Sequence, residues 1–452
     1  MNTGIQRVVR NVVNHIEGAP QWQGWHIQPV VISHGRLLRI SPDQLYPQPA
    51  ALTSEPTQTP PVSLAAQGVD YARGVYYALL HLMLALAANN ARARRFLFAP
   101  KHEMGVSGII YRLLWPLRQI RQRLSRPGDS AAETADHDSF SEIGGDDVLL
   151  LLDSSWHCNI WPSVDRFKEN GAQVVAVIYD LIPISHPQFC DASLVGIFQR
   201  WFEQAVTRVD GYVAISDTVR QHVQGYLQQH HPQHINASQF SYFWLGSDFS
   251  ASAPPSDEDV DPAIRQALMN RPTYILVSTI EPRKNHSFLL DAFDLLWEQG
   301  VEVNLAFIGK PGWKVERLLT RIRRHPQANK RLFQWQGLSD AALQYCYQHA
   351  RMLVFPSQVE GFGLPIIESL ANGLPVLASD TPIHREVGGE HIGYFPLDTP
   401  QGLASQVADI ERFGLPDHLN VADDYQWLSW QESTTQLSTA VWQVLAPSSD
   451  SA

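Results

Sequence analysis

Two glutamates eight positions apart, Glu360 and Glu368, bracket the run EGFGLPIIE. Carboxylates at both ends of a glycine-rich stretch supply acceptors for hydroxyl groups. The peptide N–H groups of Gly361, Phe362 and Gly363 between them supply donors for an anion. Donors for phosphate flanked by acceptors for sugar hydroxyls suit a nucleotide sugar. The elements around the run decide whether those groups converge. RMLVFPS (Arg351 to Ser357) reads as a short buried strand, and LPIIESLANG after Gly363 has apolar residues at helical spacing and stops at Gly373. Strand, glycine-rich loop and helix together point unpaired N–H groups and the positive end of a helix dipole at whatever sits above the loop. E-x7-E alone is common by chance, and a capped loop with two solvated acids is the alternative.

Arg283 and Lys284 follow the apolar strand YILVSTI, where a parallel sheet places its ligand loops. Transfer from a nucleotide diphosphate sugar requires stabilising negative charge as the diphosphate leaves, and fixed cations in a dry cleft do this. A surface salt-bridging pair is the other reading. YDLIPISHP follows a second buried strand and offers Asp180, to orient a sugar or acceptor hydroxyl, and His186 as a further candidate. Loop capping and packing are their structural alternatives. Ser216, at the mouth of VAISD, suits either phosphate or acceptor binding, or a helix N-cap.

Four runs occur in order: TYILVSTIEPRKNHSFLLDAF, VNLAFIGKPGW, GLSDAALQYCYQHARMLVFPS and EGFGLPIIESLANGLPVLASDTPIHREVGG. Together they resemble the C-terminal half of glycosyltransferase family four, retaining GT-B enzymes, especially bacterial mannosyl- and rhamnosyl-transferases of surface polysaccharide assembly. The resemblance is close from Tyr274 to Leu397 and looser upstream, through VVAVIYDLIPISHP and DGYVAISDTVRQHV. It implies an α/β GT-B fold, two Rossmann-like doubly wound domains facing a cleft. Lys284 matches the family's phosphate-binding lysine. The family's more upstream arginine is replaced by Thr279, which leaves part of that work to Arg283. The resemblance further implies that Glu368 accepts from the ribose hydroxyls and that Glu360 faces the donor sugar. Gly361, Phe362, Gly363 and Leu364 then contact sugar or phosphate, and backbone groups near Trp335 to Leu338 contact the base. Gly4, in TGIQR, resembles the family's glycine loop and offers its N–H to the phosphates from the other domain. The strand that usually precedes this loop is absent, so either the start is truncated or that edge of the sheet is built differently. Tyr179 stands where many relatives carry a histidine, which weakens any claim of a histidine acting on the donor sugar.

The donor this resemblance suggests is GDP-mannose or a related GDP-deoxyhexose, the acceptor a growing surface glycan or lipid-linked saccharide. A UDP- or dTDP-sugar, or a catalytically silent glycan- or nucleotide-binding module, are the alternatives. The two D-x-D patterns, Asp136–His137–Asp138 and Asp257–Glu258–Asp259, lie in acidic linker-like segments and read as solvated charge. Transfer without a metal or other cofactor is therefore expected. No G-x-G-x-x-G follows a strand, which argues against a dehydrogenase.

A chain of 452 residues is long enough for two α/β domains. A net charge of −11 argues against nucleic acid as a general partner. Cys158, Cys190 and Cys346 have no paired spacing and read as reduced core thiols of a cytoplasmic protein. No signal peptide and no run of 18 uncharged apolar residues is present. Between Tyr71 and Arg126 ten basic residues face one acid, Glu103, among runs rich in Leu, Ile, Tyr and Trp. That pattern fits helices lying on an anionic membrane surface, which would place the protein at the inner face of the cytoplasmic membrane; solvated arginines on core-packed helices are the alternative. The expected organisation is an N-terminal acceptor-side domain over 1–255, with the basic insert 71–126 and an acidic loop 125–146. A nucleotide-sugar-binding domain over 262–425 follows. A last helix over 427–446 is expected to cross back onto the first domain. Expected first-domain strands are HIQPVVIS, DVLLLLD, QVVAVIYD and GYVAIS.

Overall fold

Apolar residues spaced four apart in GIQRVVRNVVNH make one face of α1 (Gly4–His15), which buries Val8 and Val12. The computed structural model describes residues 4–22, 24–33, 36–39, 143–235, 239–247, 260–422 and 424–446. The chain divides into two units, Met1–Ile40 with Phe140–Ala452, and Ser41–Ser139. The basic insert, most of the acidic loop, both D-x-D patterns and residues 248–259 lie outside the described residues.

HIQPVVIS does not join the parallel sheet expected for it. Its end forms β1 (Val30–Ser33), which pairs antiparallel with β2 (Arg36–Arg39), Val31 opposite Leu38, as a separate two-stranded sheet. The reason is the short connection: parallel pairing needs a crossover of roughly a dozen residues, whereas a two-residue connection allows only a hairpin.

The first lobe is a parallel sheet in the order β3-β4-β5-β6, from β3 (Val148–Leu151), β4 (Gln173–Ile178), β5 (Gly211–Ala214) and β6 (Phe240–Tyr242). The last of these is too short to stand out in the sequence. Between the strands run α2 (Trp161–Glu169), α3 (Ile182–Ser185), α4 (Ala192–Val206) and α5 (Asp217–His230). Alternation along β4 divides its side chains between two cores. Val174, Ala176 and Ile178 pack with Trp161, Trp201 and Phe202, while Val175 and Val177 join the cluster that contains Val8 and Val12.

The second lobe holds a six-stranded parallel sheet in the order β12-β11-β10-β7-β8-β9. Its strands are β7 (Thr273–Val277), β8 (Asn304–Ile308), β9 (Leu332–Trp335), β10 (Met352–Phe355), β11 (Val376–Ser379) and β12 (Gly393–Phe395). Its helices are α6 (Pro262–Asn270), α7 (His286–Glu298), α8 (Glu316–Arg324), α9 (Asp340–His349), α10 (Leu364–Ala371), α11 (Pro382–Gly388) and α12 (Pro400–Phe413). Strands β8, β10 and β11 are buried at every position, as continuous apolar runs covered on both faces must be. Chain order reverses between β7 and β10, which are neighbours with Leu353 beside Ile275. Loops leaving the carboxyl ends of two strands at such a reversal splay apart and leave a crevice, the usual ligand position of an open α/β sheet.

The final helix is α13 (Trp430–Leu445), started by a reciprocal capping box between Ser429 and Glu432. It packs on α1 and on strands β5 and β6 of the first lobe. Trp22 Nε1 donates to Ser438 Oγ at 2.6 Å and Trp427 Nε1 to the Leu245 carbonyl at 2.7 Å. Among the described residues no helix is long and apolar enough to cross a membrane.

Candidate active site

The crevice between β7 and β10 brings together residues 76 positions apart. A single 3-10 turn, Pro282–Lys284, leaves β7 and turns both cations toward the loop that leaves β10. Lys284 Nζ and Arg283 Nη1 each approach one oxygen of Glu360 at 2.5 Å, and Arg283 Nε donates to Glu281 at 3.0 Å. Arg283 also donates to the Val359 carbonyl at 3.2 Å, and its own carbonyl accepts from the Gln358 N–H at 2.8 Å. The two loops are therefore laced by backbone as well as by charge. Glu281, Lys284 and Glu360 are all buried.

Charge in this pocket follows from burial against pairing. Burial alone would raise the Glu360 carboxyl, but Arg283 and Lys284 outweigh it and bring its pKa down to about 2. Burial lowers Lys284, a tendency that Glu360 opposes. Burial would also lower Arg283, but Glu360 and Glu281 hold it firmly charged. Asp180 enters from the first lobe, on the loop after β4. Burial pushes its carboxyl up, while Arg283 and the Ile182 N–H, which donates at 2.9 Å, pull it down. Three acids and two fixed cations thus meet where the lobes face each other. A cavity of about 190 Å3 lies beside them, lined among others by Ile5, Tyr179, Asp180, Glu281, Arg283 and Trp313.

Gly361 explains how closely the lobes approach. A Cβ at this position would lie 2.1 Å from the Tyr179 carbonyl oxygen, so only glycine fits. Its own carbonyl accepts from Ser216 Oγ at 2.9 Å, and the same hydroxyl accepts from the Val219 N–H. Ser216 is therefore the N-cap of α5 and a tie between lobes at once. Gly363 has φ +111° and starts α10, a left-handed conformation that favours glycine. Phe362, expected as a contact to sugar or phosphate, is 3% exposed and packs its ring on Trp427, centroids 6.2 Å apart. Its side chain is therefore a core element, and only its peptide group is left for a ligand. Leu338 and Leu364 are likewise partly buried packing residues, which offer backbone rather than side chains. Thr279 is half-buried, its methyl 3.1 Å from where a Cβ at Gly312 would lie. His186 stacks on Phe189 at 6.0 Å, a packing contact. Tyr179 donates its hydroxyl to the Leu152 carbonyl at 2.8 Å.

Glu368 sits one turn into α10, 4% exposed, with both oxygens engaged. Tyr347 donates to one at 2.9 Å, and Arg7 of α1 pairs with the other. Gly4 is the exposed first residue of the same helix, one turn before Arg7. Neither Arg7 nor Tyr347 was singled out in the sequence, although Arg7 closes the TGIQR run and a one-turn spacing from Gly4 was available as a signal. Glu281 was equally hidden in plain view, inside EPRK. A further inter-lobe tie has no sequence signal. Glu386 of α11 accepts from the N–H groups of Asp217 and Thr218 at 2.7 and 2.8 Å and from Trp244 Nε1 at 2.8 Å, so a second-lobe carboxylate fills the positive end of α5. Trp313 and Lys314, after β8, donate to the carbonyls of Phe189 and Cys190.

Residues 257–412 match the family described as Glycosyl transferases group 1. The serotype-specific mannosyltransferase WbdA of Escherichia coli is 34% identical over 293 residues, which is 64% of this chain and 36% of that protein. O-antigen chain mannosyltransferase B of Escherichia coli is 31% identical over 185 residues, 40% of this chain and 44% of that protein. The chain thus matches less than half the length of either. Among solved structures, Anabaena HepE in complex with UDP and glucose aligns with a TM-score of 0.47 at 14% identity, covering 66% of this chain and 75% of that one.

Proposed function

We propose, taking as premise the group 1 glycosyl transferase domain that residues 257–412 form, that this chain moves mannose from GDP-mannose to a growing surface glycan, with retention of configuration and without a metal. One observation carries the reading: half-buried Arg283 and buried Lys284 lie at the sheet's reversal point with Glu360 as their shared counter-charge. A diphosphate entering the crevice competes with Glu360 for both cations. The carboxylate it frees is then available to the hydroxyls of the attached sugar, and the peptide N–H groups of the Gly361–Gly363 loop add donors. As the bond from the sugar to the diphosphate oxygen breaks, its electron pair stays on that oxygen, beside Arg283 and Lys284. The acceptor oxygen bonds to the same face of the sugar and gives its proton to the departing phosphate, with Asp180 orienting the acceptor hydroxyl.

Glu368 serves the ribose. Tyr347 and Arg7 hold its carboxylate in place, and two oxygens with about four lone-pair sites leave room for hydroxyl donors. The preference for mannose rests on the mannosyltransferases that the chain resembles, and the GDP donor only on the family resemblance of its sequence motifs. A second reading, a nucleotide-binding module without transferase activity, draws on Tyr179, whose hydroxyl is committed to the Leu152 carbonyl.

Thermal shift against GDP, UDP, dTDP and ADP, with and without Mg2+, tests the donor. Stabilisation by GDP alone, without metal, is expected. Lys284→Ala should then abolish most transfer while Glu368→Ala weakens nucleotide binding. Near-wild-type transfer in both variants would remove the site assignment, and binding without transfer would favour the module.

A further inference from the structure

The cavity beside Asp180 shares part of its wall with a second space. Two of the residues that line it, Trp156 and Trp201, also line a larger groove on the first lobe. The inner space measures about 190 Å3 and the groove about 800 Å3. Small-molecule sites run from roughly 300 to 1,000 Å3, so the groove is large enough for a ligand and the inner space for only a monosaccharide-sized part of one.

Helical spacing builds the groove's longer wall. Ile197, Trp201, Gln204 and Arg208 recur every three or four residues along α4 and beyond its end, and so share one face, with Arg200 beside them. Trp156 and Trp161, from the loop after β3 and the start of α2, supply the rest of the aromatic surface. Trp201 meets Trp156 edge to face at 6.2 Å and lies tilted against Trp161 at 5.9 Å. The indole N–H groups of Trp156 and Trp201 are buried with no acceptor among the described residues, and Trp201 is only 5% exposed. A buried donor without a partner is costly, and a ligand oxygen would relieve it.

The polar rim points to an uncharged ligand. Arg200 and Arg208 are balanced by Asp165 and Glu203, and Arg208 holds Asp165 through two hydrogen bonds at 2.7 and 3.3 Å. A nucleotide, an anionic lipid or a nucleic acid would meet no net positive field here. Aromatic surface with orphaned N–H donors and a neutral polar rim suits a carbohydrate, whose rings present apolar faces and hydroxyl edges.

We infer that this groove binds the acceptor glycan, holding the sugars that precede the one being extended while the terminal sugar reaches past Trp156 and Trp201 to Asp180. This rests on the transferase reading above. It makes the enzyme prefer longer acceptors, since only a chain of several sugars fills both spaces.

The test uses the full chain and α-linked mannose oligosaccharides of one, three and five sugars, with binding read by tryptophan fluorescence in the absence of donor. Affinity should rise with length. The combined variant Asn159→Ala, Arg200→Ala, Gln204→Ala, all exposed polar side chains, should weaken the five-sugar ligand roughly tenfold and leave the monosaccharide and GDP binding unchanged. Equal affinity for all three lengths, or no loss in the variant, overturns the inference. If no nucleotide binds but the length dependence and its loss in the variant remain, the groove stands as a glycan site and the transferase reading falls.

Discussion

Gly361→Ala makes the sharpest demand on this arrangement. A Cβ there would sit 2.1 Å from the Tyr179 carbonyl oxygen, whereas real Cβ contacts essentially never fall below 3.0 Å. The surroundings must therefore open by at least 3.0 − 2.1 = 0.9 Å. Gly361 has an ordinary φ, so the demand is steric and not conformational. Neither side yields readily. Tyr179 is anchored by its hydroxyl to Leu152, and the Gly361 carbonyl is held by Ser216. The gap that opens separates Asp180, on the first lobe, from Glu360 and Arg283 on the second. A misplacement of about 1 Å between reacting groups can cost on the order of a hundredfold in rate, or about 2.7 kcal/mol of barrier. On the transferase reading proposed above, the expected result is a kcat roughly a hundredfold lower. GDP binding should persist, because Lys284 and Glu368 keep their places within the second lobe. Radiolabelled or coupled transfer assays measure the first, and calorimetric titration of GDP the second. A kcat within about threefold of wild type would refute the claim that this contact sets the catalytic spacing.

Two further perturbations follow from the same geometry. Glu386→Ala removes charge-assisted bonds to the N-terminus of α5 and to Trp244. It should cost about 1–2 kcal/mol, seen as a lower urea midpoint, with Glu386→Gln recovering part of the loss. His286, buried and close to Lys284, has its pKa lowered to about 3 from an ordinary 6.5. Its neutral form is the native one, so its stability is intact above 6.5. It is lost as pH falls from there toward 3, with a slope of up to about 1.4 kcal/mol per pH unit. His286→Gln should flatten the acid limb of the stability curve in that window. Glu360 acts lower: its share is present above the ordinary 4.5 and is lost only as pH falls toward about 2. An unchanged acid limb in the His286 variant would show that other groups carry it.

What the sequence by itself determined is whatever depends on near neighbours. Apolar runs such as NLAFI, MLVF and VLAS can be satisfied only as strands covered on both faces, and alternation with helices makes the sheets parallel. The αL glycine before α10 and the 3-10 turn at PRK are also local, and so is the adjacency of Arg283 and Lys284. Short elements escaped for the same reason: β6 and β12 have three residues each, too few to show a period, and β1 was misassigned because pairing is not a property of one strand. Only the tertiary structure decided which distant groups meet. The order β10-β7, not the spacing of residues, sets Glu360 against two cations 76 and 77 positions earlier. The packing of α1 beside α13 brings Arg7 to a carboxylate 361 positions away. Trp427 covers the Phe362 ring, so that residue brings only its peptide group to the loop. Side-chain type and local spacing state what a residue can do. Burial, and therefore charge state and partner, is a property of the whole packed chain, because it depends on which surfaces water has left.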